Sequence, residues 1–344
     1  MFRGRSIAVL LVLFLCPSLI RAHTGTWNVD ANGNWEVDTN WTGTSTKWPG
    51  DNGTADDAIF GNVITANRTV TQTTSPISIN TITFNDDNQY TITGGQLRLF
   101  SSGTQFNQNG TGSVVIGSSF LLQQNANTFG GTGTGTVDFN GVIDGANPKA
   151  LAFSGTGIFN LNAANTYTGT TTVNSGNVNL NIASAMGSTA SITLNTGGTL
   201  LINASNAIKD AAPIAMAGGT LTQANGVSDT IGTMTLTSSS TINLGTSGSL
   251  TFANTSFSGS TLTINNWTGS VNSSGTGGKI FFNSSMSAQT LAGITFTGYT
   301  PGALVLSTGE VVPVPEPATV MAGFFVVSLL GWRARHGLRL RPIA

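Results

Sequence analysis

The chain has 344 residues, 44 of them Gly, and its charged share is only 8%, about a third of the usual. Thirteen basic residues nearly balance fourteen acidic ones, yet between residues 23 and 312 six Lys and Arg face thirteen Asp and Glu, a net charge of −7. Such a body is a poor partner for nucleic acid, and a single cysteine, Cys16, rules out a disulfide framework.

In chain order, residues 1–22 read as a secretory signal helix. Arg3 and Arg5 are its basic end, Ile7 to Cys16 its apolar segment and Ala22 its last residue. Leu15 is too bulky beside Cys16 for a lipoprotein site. Cleavage after Ala22 would make His23 the first residue, which invites a copper site. That site needs a second histidine, and the other one, His336, lies beyond a C-terminal apolar segment. No metal and no cofactor are therefore expected.

Residues 23–75 read as a tryptophan-rich cap carrying Trp27, Trp35, Trp41 and Trp48. These rings fit two roles: a plug over the first coil of a stacked fold, or a platform on which sugars stack. The plug is preferred. Asp30 to Asn34 resembles a calcium loop, but its glycine falls at the fourth position instead of the sixth and no glutamate occupies the twelfth, so it reads as a polar turn. Asp56-Asp57 and Asp86-Asp87 read as turn residues at strand ends.

From residue 76 to 265 short alternating strands recur, each closed by Gly, Asn, Ser or Thr. Early coils show Ile82/Phe84, Tyr90/Ile92 and Leu97/Leu99. Val114/Ile116, Phe120/Leu122, Val137/Phe139 and Val142 follow. Later, Val178, Leu200, Leu221, Ile242 and Leu262 are spaced by 22, 21, 21 and 20 residues. Leu180, Ile202, Leu244 and Ile264 keep that phase, with Gln223 the polar exception. A second inward pair runs Ile192/Leu194, Ile214/Met216, Met234/Leu236 and Leu250/Phe252. Coils this small bury an apolar face only against their neighbours, so the pattern predicts an all-β solenoid, with Asn and Thr at equivalent positions forming hydrogen-bonded ladders.

Gly155 to Leu180 (GTGIFNLNAANTYTGTTTVNSGNVNL) resembles the autotransporter-associated β-strand repeat, whose pattern is a Gly-Thr strand, Asn-Thr-Tyr-Thr-Gly, Thr-Thr-Val and then Gly-x-Leu. Ala185-Met186-Gly187-Ser188 and Ile192 to Leu200 resemble its continuation. The resemblance implies a right-handed parallel β-helix serving as a surface stalk, and no catalysis. Asp138, Asp144, Asp210 and Asp229 are the carboxylates in the regular region. They read as turn residues, because no histidine or second polar group accompanies Asp210 and Asp229 as a dyad.

Residues 266–312 gather Trp267, Phe281, Phe282, Phe296 and Tyr299 and read as a C-terminal cap. Residues 313–344 hold Pro315-Glu316-Pro317, an apolar run from Ala318 to Trp332, and then Arg333, Arg335, Arg339 and Arg341. The run spans only ~22 Å as a transmembrane helix, short of a ~30 Å hydrocarbon core, which suits a temporary anchor. The arginines would stay cytoplasmic. Motif, helix and basic tail in this order resemble the PEP-CTERM sorting signal. That resemblance implies an exosortase-type partner that cuts near the motif, after which the body resides at the cell surface or in exopolysaccharide. A plain membrane anchor is the alternative for the tail, and an adhesin or glycan binder using the four tryptophans is the alternative for the body.

Overall fold

The computed structural model describes residues 22–315, apart from 54, 146 and 284. The signal segment, Glu316, Pro317 and the tail with Arg333, Arg335, Arg339 and Arg341 lie outside the described residues. What is described is all-β: a parallel β-solenoid of about 10 turns with almost no helix. No helix among the described residues is long and apolar enough to cross a membrane. Ala288–Ala292 is a single short α-helix near the C-terminal end.

Alternation sets the architecture. In an extended strand every second side chain points the same way, so each strand offers one apolar row that needs cover. Parallel stacking supplies the cover from the coil above and the coil below. On one face Tyr90, Val114, Val137, Phe159, Val178, Leu200, Leu221, Ile242, Ile264 and Phe296 lie in direct register. All ten are buried. On a second face Ala58, Ile82, Phe106, Phe129, Phe153, Val173, Leu194, Met216, Leu236 and Phe257 form the matching column. Each large side chain so buried contributes about 1.5–3 kcal/mol. The third face begins with Ile77, Leu97, Phe120 and Ile143 and resumes with Asp229, Leu250 and Ile280. Between them it narrows to a bridge from Met186 to Ile208.

The corners depend on glycine at defined points. Gly94, Gly197 and Gly218, the first members of three Gly-Gly pairs, have φ of 99°, 89° and 98°. A Cβ on Gly94 would lie 2.1 Å from the Gln72 carbonyl oxygen of the coil beneath. Polar side chains join coils on the outside. Asn203 Nδ2 donates to Asn181 at 2.7 Å, and Asn181 to Asn162 and Asn162 to Asn140 at 2.8 Å each. The expected asparagine ladder is thus formed.

Both ends are closed by antiparallel pieces. Thr24–Trp27 pairs in parallel with Asp56–Phe60 on one side and antiparallel with Trp41–Gly43 on the other. At the far end Ala303–Val305 and Val311–Pro313 form a hairpin, bridged to the last coil through Phe281 and Glu310. Such ends stop an apolar stack from templating another chain.

Several expectations about phase are corrected. Ile242 stacks on Ile264, while Leu262 lies over Ser240, so the last member of that column is displaced by one inward position. Leu250 and Phe252 stack on Asp229 and Ile231, and Met234 and Leu236 lie beneath Thr255 and Phe257. The cause is Ser228–Ser238, a single strand that serves two faces and carries two inward sets. In the 142–143 pair, Ile143 is buried and Val142 is exposed. Parallel pairing also continues beyond residue 265, through Lys279–Phe282 and Ile294–Phe296.

Candidate functional site

The N-terminal end concentrates the chemistry. Trp27, Trp35 and Trp41 are buried and Trp48 is half-buried against the core. The Trp41 ring lies 5.2 Å from Trp27, 4.9 Å from Trp35 and 5.5 Å from Phe60, a cluster whose edge-to-face contacts add to simple burial. Each indole N–H of the three has a carbonyl acceptor: Trp27 on Val29 at 2.8 Å, Trp35 on Pro49 at 2.9 Å and Trp41 on Trp35 at 2.7 Å. Phe60 then stacks on Phe84 of the next coil at 4.9 Å. The three rings are plugged into the first coil and turn no free face outward. Of the four expected stacking residues, Trp48 alone is only partly buried. An open depression of about 410 Å³ lies beside Trp41, bordered by Asp38, Thr42 and Ser45.

Beside this plug His23, Asp51 and Asp56 converge, with their ligand-capable atoms all within 4.8 Å of one another. Asp56 opens the strand Asp56–Phe60 and is fully buried, contrary to its expected role as a turn residue. One carboxylate oxygen accepts the His23 backbone N–H at 2.9 Å. The other accepts the Gly50 N–H at 2.7 Å and lies 3.1 Å from His23 Nδ1. His23 Nε2 reaches the Lys47 carbonyl at 3.2 Å, while Lys47 Nζ bonds Asp38 at 2.7 Å. Asp51 Oδ1 is buried and has no hydrogen-bond partner. Sequence reasoning passed over this trio because 33 residues separate His23 from Asp56 and pairing of Thr24–Trp27 with Asp56–Phe60 brings them together.

The remaining carboxylates serve local structure. Asp30 accepts Thr65 and Arg68 and closes its turn onto a neighbouring strand, and Asp86 caps its own turn through the Asn88 N–H. Asp138 accepts Asn160 of the next coil, and Asp144 accepts Thr166. Asp229 is buried and accepts the Ala207 and Ile208 N–H groups, and burial pushes its carboxyl up to about 6. Asp210, nearby, opposes its ionisation further.

The Asn165-Thr166-Tyr167-Thr168-Gly169 segment has a structural explanation. Asn165 accepts the Ile143 N–H and donates to the Ala185 carbonyl, each at 2.8 Å, tying three coils where the third face narrows. Tyr167 is buried with its hydroxyl 2.8 Å from Thr171 Oγ1, and burial pushes its phenol up to about 12. A Cβ on Gly169 would lie 2.3 Å from Lys149 backbone atoms. Of the tail motif, Pro315 is described and lies half-buried at the end of the fold.

Comparison with protein families, curated proteins and solved structures finds no match to this chain.

Proposed function

We propose that the chain is a non-catalytic exported protein whose solenoid acts as a structural stalk at the cell surface. In this reading the coil winds right-handed, a signal helix carries the chain out, and a PEP-CTERM-type tail sorts it. The observation that supports it is the solenoid itself, two of whose three faces each carry an apolar column through ten successive coils. Its outer Asn side chains bond successive coils, so the rod gains rigidity along its axis. About 10 turns, at roughly 4.8 Å per rung, give a stack of roughly 48 Å.

The tail reading is supported by Pro315-Glu316-Pro317, the apolar run after it and the four arginines, in that order. An exosortase-type enzyme is the partner, the membrane a temporary host, and exopolysaccharide the surrounding matrix. Cell fractionation with intact mass measurement tests this. The expected product begins at His23, ends near Pro315 and leaves the inner membrane, and Glu316→Gln accumulates there uncut. Full-length chain retained in the membrane whatever stands at 316 would refute the sorting step. Trp48 keeps a glycan-binding alternative open to test: an array signal lost in Trp48→Ala would replace the stalk by an adhesin.

A further inference from the structure

We propose that His23, Asp51 and Asp56 bind one divalent transition-metal ion of the zinc class, stapling the start of the chain to its first coil. Hydrogen-bond roles carry the inference. A carbonyl oxygen only accepts, so His23 Nε2, 3.2 Å from the Lys47 carbonyl, carries the proton. The neutral ring then turns the Nδ1 lone pair toward a carboxylate oxygen of Asp56 only 3.1 Å away. Two acceptors facing each other repel, so a positive species belongs between them: a proton or a metal ion. An imidazole whose far nitrogen donates to a backbone carbonyl is the usual supporting arrangement of a metal-bound histidine.

Asp51 decides between the two. A proton on His23 Nδ1 would satisfy Asp56 and leave Asp51 Oδ1 buried and unpartnered, a desolvation penalty that nothing offsets. A metal ion satisfies both carboxylates. The spacing also fits, because ligands at about 2.0–2.2 Å around a tetrahedral ion stand roughly 3.3 Å apart. One imidazole with two carboxylates suits zinc and its neighbours better than calcium or magnesium, which prefer all-oxygen shells. If the leader is cut after Ala22, the His23 nitrogen, now 2.9 Å from Asp56 Oδ1, becomes a free amine and a fourth ligand. That last ligand rests on the export reading; the three side chains do not.

The test uses tag-free chain from His23 to Ala344 in mild detergent, stripped with chelator and titrated with Zn²⁺ by calorimetry, with Ca²⁺ as control. One Zn²⁺ per chain is expected, with a raised melting temperature and with affinity at least tenfold weaker in both Asp51→Asn and His23→Gln. Asp51 is chosen because Asp56 is buried under backbone donors and its replacement risks the fold. Co²⁺ should give the absorption bands of a tetrahedral site. Absence of stoichiometric Zn²⁺ uptake, or affinity unchanged in Asp51→Asn, overturns the site. A chain retaining Ala22 separates the two readings: tenfold weaker binding assigns the amine, and unchanged binding removes the amine while the three-side-chain site stands.

Discussion

Side chains within the columns carry most of the stabilisation, and they differ in how visible they are beforehand. Leu200 sits mid-column with Val178 below and Leu221 above, fully buried. Leu200→Ala should cost about 2–5 kcal/mol, read from the denaturant midpoint, because packed coils cannot collapse into the gap. Gly94→Ala meets both a left-handed backbone and the Gln72 carbonyl, and should cost at least about 1–3 kcal/mol in the same assay. Both positions are legible in alternation and in the repeated Gly-Gly pairs. Asp229 is not, since its burial and its backbone donors come from another coil. Its carboxyl titrates higher in the fold, about 6 against an ordinary value near 4. The cost of holding its charge is therefore fully present above about pH 6 and disappears as pH falls toward 4. Wild type should gain melting temperature relative to Asp229→Asn on acidification through that window. A constant difference between the two would show that Asp229 does not titrate there.

Strands and ladders behave as units shared between coils. Asn181 both donates to Asn162 and accepts from Asn203, so Asn181→Ala removes two bonds at once. Because the ladder is exposed, the loss should be modest, on the order of 1 kcal/mol, and a double-mutant cycle with Asn162 should show coupling. Strand existence is legible between residues 76 and 265, whereas Asp56–Phe60, Arg68–Gln72, Lys279–Phe282 and Ile294–Phe296 pair in parallel with the coils where caps are expected, and strand phase is not legible. Leu262 keeps the expected face but sits one inward position away, over Ser240, whereas Leu250 joins a different face, over Asp229, because two faces present the same apolar alternation. A period of twenty-odd residues does not say which face a strand joins when Ser228–Ser238 turns a corner without a break. Val142 and Ile143 show the same limit at one residue, where a single-step slip exchanges inside for outside.

The molecule as a whole is quasi-linear, so its ends decide its fate. Trp41 joins Trp27, Trp35 and Phe60 over the first coil. Trp41→Ala should cost about 3–5 kcal/mol and open an apolar end, seen as loss of near-ultraviolet circular dichroism and as concentration-dependent association in sedimentation. Small-angle scattering of the intact protein should report an elongated particle, and a globular profile would contradict the stack.

Alternating strands, glycine corners, a spacing near twenty-one residues and an aromatic start were enough to specify a solenoid, because each arises from contacts repeated coil after coil and so leaves a repeated mark along the chain. Register, the shared strand at 228–238 and the meeting of His23, Asp51 and Asp56 came only with the folded chain. Each of those happens once, between segments distant along the backbone, and a contact made once leaves no period to read.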